Sequence, residues 1–71
     1  MNLQHYTAVI KRDGDWWIGW VEEIPGVNSQ GATRRELEEN LRSALEEALE
    51  MNRAAAVAAA GDEYEEISIA L

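Results

Sequence analysis

A run of ten residues, Ile24-Pro25-Gly26-Val27-Asn28-Ser29-Gln30-Gly31-Ala32-Thr33, constrains this chain more than any other stretch. A Trp-rich strand pattern, Trp16 to Glu23, precedes it, and a long amphipathic helical pattern follows. Pro25 lacks the N–H a sheet ladder needs and Gly26 is free to take a positive φ, so together they end a strand. Thr33 and Glu36 have capping-box spacing: the Thr hydroxyl accepts from the Glu36 N–H, and the Glu carboxylate reaches back to the cap N–H. Gly31 is expected to turn the chain between the two. The run therefore reads as the handover from a sheet to a helix, and it carries no catalytic machinery.

Around it the periodicities switch between two and about 3.6 residues. Leu3 to Arg12 reads as a first strand, with Tyr6, Thr7, Val9 and Ile10 as strand formers, and Asp13-Gly14-Asp15 supplies a hairpin turn. The second strand, Trp16 to Glu23, puts Trp16, Ile18, Trp20 and Glu22 on one face and Trp17, Gly19, Val21 and Glu23 on the other. Both faces carry large hydrophobes. One helix covers one face only, which leaves the other bare or buried against another chain. Gly19 marks a gap for a bulky neighbour or a bulge.

Val27 to Gln30 makes a short third strand. Leu37, Leu41, Ala44, Leu45, Ala48, Leu49 and Met51 then form a helical stripe. The opposite face is charged, with pairs at salt-bridge spacing in Arg35–Glu39, Glu38–Arg42 and Arg42–Glu46. Alanine is the best helix former, so the helix is expected to run from Arg34 through Ala54-Ala55-Ala56-Val57-Ala58-Ala59-Ala60 to Gly61. At 1.5 Å per residue it spans about 40 Å, longer than the strands beneath it. Tyr64 to Leu71 reads as a last strand with Ile67, Ile69 and Leu71 on one face. The fold expected is α+β: a two-layer α/β sandwich, β-β-β-α-β, whose mostly antiparallel sheet has the order 3-2-1-4 under one long helix.

The 71 residues make a single domain, 1-71, and a chain this short supplies little stability unaided. With no Cys and one His there is neither a disulfide nor a zinc site to staple it. Oligomerisation or a heterologous partner is the staple that remains. The N-terminus has no basic and apolar leader pattern, and no run reaches membrane-spanning length. The expected location is cytoplasmic, with no membrane partner. A net charge of -8 repels nucleic-acid phosphates and favours a basic partner. Arg34 and Arg35 stand at the positive end of the helix dipole, a weak hint of an outside partner for them.

Catalytic chemistry is not expected. Nucleophilic catalysis needs an activated Ser, Cys or Thr beside a base, and His5 sits alone in a strand. Gly26 and Gly31 have neither phosphate-loop nor dinucleotide spacing. Asp13 and Asp15 are hairpin carboxylates, and no metal ion or cofactor is implied.

In order and spacing the chain resembles the HicB-like antitoxin family over nearly all of Tyr6 to Leu49. The pieces that carry the resemblance are Tyr6-Thr7-Ala8-Val9-Ile10, Asp13-Gly14-Asp15 with Trp17, Ile24-Pro25-Gly26, Ser29-Gln30-Gly31-Ala32-Thr33, Glu36-Leu37, and Asn40-Leu41 with Ala44-Leu45. Family members have a degenerate ribonuclease H-like fold, which implies the same 3-2-1-4 sheet. A working ribonuclease H site needs a metal-holding carboxylate in the first strand, and Leu3 to Ile10 contains none. The resemblance implies an antitoxin of a type II toxin-antitoxin system that binds and masks a HicA-like toxin, a small basic RNA-cleaving protein. The contact residues expected are Trp16, Trp20 and Glu22 on one sheet face, or Trp17 and Glu23 on the other. Pro25, Gly26, Gly31, Thr33 and Glu36 are the structural residues of the family pattern. Full-length members carry a C-terminal DNA-binding domain; none is expected here, so neither autoregulation of a promoter by this chain alone nor direct nucleic-acid contact is expected. The alternative is a stand-alone homo-oligomeric module, a homodimer or higher, with another binding function.

Overall fold

A computed structural model describes residues 5–71. Three strands, β1 (Ala8–Asp13), β2 (Trp16–Val21) and β3 (Asn28–Gly31), are followed by one helix, α1 (Arg34–Ala60). The sheet is antiparallel throughout, in the order β1-β2-β3. The architecture is α+β, with the helix packed on one side of a three-stranded sheet.

The hairpin follows from Gly14, whose φ of 63 makes it the only positive-φ residue of the two-residue turn. That pattern, glycine at the first central position, matches the twist of the flanking strands. Residue pairs run from Ala8 opposite Val21 to Asp13 opposite Trp16. The bond from the Glu22 N–H to the Thr7 carbonyl (2.9 Å) sets the phase of the ladder. In this phase the N–H and C=O groups of Ala8, Ile10 and Arg12 point away from β2, towards the open edge of the sheet.

At the handover, Gly26 has φ 91, and the Val27 N–H bonds back to the Ile24 carbonyl at 3.3 Å. Thr33 is the N-cap, its hydroxyl accepting from the Glu36 N–H at 3.1 Å. The reciprocal bond from the Glu36 side chain is not made among the described residues, so half of the capping box forms. Gly31 does not turn the chain. It is the last residue of β3, and its φ is not positive. A Cβ there would lie 2.6 Å from the Leu37 backbone N, so the glycine exists to let the sheet touch the first turn of the helix. Asn40 ties the layers together again, donating to the Gln30 carbonyl at 2.9 Å.

The core is small: Val21, Val27, Leu37 and Leu41 are buried. Leu41 approaches the sheet above Gly19, where a Cβ would lie 2.9 Å from both the Ile10 side chain and the Val9 carbonyl. Gly19 thus serves helix docking rather than a bulge. Gly19→Ala should cost about 1–3 kcal/mol through overpacking, read as a lower urea midpoint with an unchanged m-value.

The expected mismatch of helix and sheet length is present, and the expected fourth strand is not shown. The apolar stripe of α1 is core only as far as the sheet extends; Ala44, Leu45, Ala48 and Leu49 are half-buried and Met51 is 65% exposed. Six-residue strands reach about 20 Å, whereas the 27-residue helix reaches about 40 Å, so its second half overhangs. Among the described residues there is also no fourth strand: Tyr64 to Leu71 carries no regular structure, and Ile67 and Ile69 are 77% and 79% exposed. Leu3, at the start of the expected first strand, lies outside the described residues, and that strand begins at Ala8.

The result is an elongated molecule of 50 × 23 × 17 Å. Its surface of 6135 Å² compares with about 4,400 Å² for a typical folded monomer of this mass.

Candidate functional site: the bare face of the sheet

Alternation decides what each face holds, and the position of the helix decides which face is left open. Trp17, Gly19 and Val21 point to the helix layer; Trp16, Ile18 and Trp20 point the other way. No described element covers that second face. Trp16 is 48% and Trp20 42% exposed, with Ile18 half-buried between them. Register adds Val9, directly opposite Trp20 and itself 37% exposed, so one apolar strip crosses the hairpin. Glu22 is exposed at its end, and Asn28 and Gln30 of β3 border it opposite Trp20 and Ile18.

The expected contact residues therefore divide. Trp16, Trp20 and Glu22 are brought together and presented. Trp17 and Glu23 are occupied within the fold. The Arg12 guanidinium stands 5.4 Å from the centre of the Trp17 ring, and its Nη2 donates to the Gly14 carbonyl at 3.2 Å. Such a cation–π contact holds the ring against the hairpin. The Glu23 carboxylate takes the Thr7 N–H with both oxygens, at 2.8 and 3.1 Å. It clamps the chain just before it enters β1. Val9 and Ile18 were missing from the expected contacts, although the same two-residue alternation places them on this strip.

The Thr7 N–H bond holds the Glu23 carboxyl below the usual Glu range. A carboxylate with a depressed value stabilises the fold above its unfolded pKa, and that contribution is lost as pH falls through the folded value. As pH falls below the ordinary Glu value of about 4.3, the protein should therefore lose stability. Glu23→Gln should flatten that part of the stability-against-pH curve, as followed by urea midpoints at fixed pH steps.

Elsewhere the charges close on themselves. Arg34 pairs with Glu38 at 3.2 Å and Arg35 with Glu39 at 3.3 Å, so the two arginines at the helix start have partners within the helix. Glu38 is thereby taken from Arg42, which makes no ion pair among the described residues. Arg42 lines instead a cavity of about 400 Å³ beside the start of β1, walled by Tyr6 and Ala8 from the sheet side and Leu41 and Leu45 from the helix. This cavity had no signature in the strand and helix patterns.

Among the described residues no group of three or more His, Asp or Glu side chains is placed to hold a metal ion. No helix there is long and apolar enough to cross a membrane. The face is aromatic and exposed, with Glu22 at one end and Lys11 directly opposite Ile18. No family model, curated protein or solved structure matches the chain.

Proposed function

We propose that this chain is a HicB-like antitoxin, a non-enzymatic protein that masks a basic HicA-like RNA-cleaving toxin with the bare face of its sheet. The observation that carries the reading is the strip of exposed Trp16, Trp20 and Val9 around half-buried Ile18, on a chain of net charge -8. Tryptophan is the residue type most enriched where binding energy concentrates. Overall negative charge steers a positively charged partner towards the strip, and a surface built to hold RNA phosphates is such a partner. The resemblance in the strand, Pro-Gly and capping motifs points the same way. On this reading the protein acts in the cytoplasm, where its target cuts RNA. On this reading a fourth strand, Tyr64–Leu71 of this or a second copy, completes the order 3-2-1-4 at the open edge of β1.

The test is co-expression with the product of the neighbouring reading frame, a short basic His-containing protein on this reading. Co-purification in a stable complex and rescue of growth are the expected results. Failure of both would overturn the proposal.

A further inference from the structure

The overhang of α1, the exposed tail and the open edge of β1 are three unfinished surfaces with a common solution. The tail is out of register with its own sheet. Glu66 contacts Arg53 at 3.3 Å. Arg53 lies about 160° around the helix from Leu37, at 3.6 residues per turn, so the tail lies on the flank turned away from the sheet. Val57, on the same flank, is the only half-buried residue between Glu50 and Ala60. Reach is wrong as well. Leu45 is the last helix residue lining the cavity beside β1, and Arg53 lies about 12 Å further along the helix. From Glu66, about four extended residues are consumed in returning to the level of Leu45. Ile67 and Ile69 are then stranded beside the overhang, short of their own β1.

A second copy removes both obstacles. The sheet-facing stripe of α1 continues beyond the sheet as Ala48, Met51, Ala55 and Ala59, spaced by three and four residues. With overhangs packed antiparallel on these stripes, small residues let the helices approach closely. The end of each helix then stands near Leu45 of the other copy. The chain leaving Gly61 is now on the sheet side and runs in the direction of the partner's β1. It enters beside Ala8 with Ile67, Ile69 and Leu71 still to be placed. The N–H and C=O groups of Ala8, Ile10 and Arg12 face this edge, ready for a ladder. Charge agrees with the direction of entry: Asp62, Glu63, Glu65 and Glu66 lead the tail, and Arg42 lines the entrance while Lys11 and Arg12 follow along the edge.

We infer that the protein is a twofold dimer in which Tyr64–Leu71 of each copy forms a parallel fourth strand on the β1 edge of the other. Each copy gives one strand and accepts one, so the interface closes on itself. The dimer explains the elongated shape of the single chain: its radius of gyration is 15.2 Å, against about 11 Å for a compact domain of this length. The bare Trp16–Trp20 face lies off this interface. Toxin binding can thus fail with the dimer intact, and the dimer can fail with toxin binding intact.

Two full-length variants test the exchange. Ile67→Asp with Ile69→Asp spoils the donated strand and leaves the edge. Ala8→Pro leaves the tail but removes an edge N–H without touching the β1–β2 ladder. Light scattering at micromolar concentration should give twice the 8.0 kDa chain mass for the parent and the single-chain mass for each variant alone. Mixing the two variants should restore a dimer fraction, because one intact edge then meets one intact tail. A monomeric parent overturns the inference, as does a mixture that stays monomeric. If Ala8→Pro does not fold, amide exchange replaces it. The N–H groups of Ala8, Ile10 and Arg12 should be protected in the parent and exchange at least tenfold faster in the Asp double variant; equal rates overturn the inference.

Discussion

Leu37→Ala should leave this chain unfolded at room temperature. Among the described residues Leu37 is the only side chain with no solvent exposure, in a core of four buried hydrophobic residues. Truncating a buried leucine costs about 2–5 kcal/mol, from the lost transfer of its methyl groups and the cavity left behind. A single core in a domain of this size rarely supplies more than about 3–5 kcal/mol, so that loss consumes most of the stability. The site is also poorly able to collapse, because the Leu37 backbone already touches Gly31 and there is no second layer to move in. Far-UV circular dichroism should show loss of most helical signal in the variant. A cooperative transition retaining more than half of the parent's stability would mean that the core extends beyond these four residues.

The second large effect concerns binding and should leave the fold intact. Trp16→Ser with Trp20→Ser removes the two exposed indoles from the open face. Each touches mainly cross-strand neighbours there, so stability should change by less than about 1 kcal/mol per position. For the toxin complex the outcome is different. Buried tryptophans at the centre of an interface carry about 2 kcal/mol or more each, which is roughly 30-fold in Kd per residue. The double variant should therefore bind several hundred-fold more weakly or not at all, measured by calorimetry. Trp17→Ser is the contrast: it strips the ring that Arg12 covers on the helix side and should lower stability while leaving affinity per folded molecule unchanged. Equal affinity in the Trp16/Trp20 variant and the parent would move the contact surface elsewhere.

Much of the architecture could be read from residue types. The limits of α1 coincide with the Thr33 cap and Gly61, because capping and termination are local chemistry. The hairpin coincides with Asp13-Gly14-Asp15 for the same reason. The division of β2 into two hydrophobic faces was equally legible from alternation, but which face the helix takes was not. That depends on where Gly19 and Gly31 allow the helix to come close, and a glycine needed for contact looks the same as one needed for a turn. Met51 continues the helical stripe perfectly well while the sheet beneath it has ended, since periodicity does not measure how far the opposing layer extends. Tyr64–Leu71 has the alternation of a strand, yet a strand requires an edge within reach, and reach is set by the length of the preceding helix. The bond from the Thr7 N–H to the Glu23 carboxylate was not legible, because a carboxylate at a strand end looks the same with or without such a donor.

The close approach of Gly31 to Leu37 also bears on how quickly this molecule forms. Its contact joins residues only six apart in the chain, and the β1–β2 hairpin closes over a two-residue turn. The framework is thus assembled from sequence neighbours, with little loop entropy to overcome before the first native contacts form. Low contact order of this kind favours fast formation of the three-stranded sheet and α1. The exchanged Tyr64–Leu71 strand is seated only when a second copy arrives.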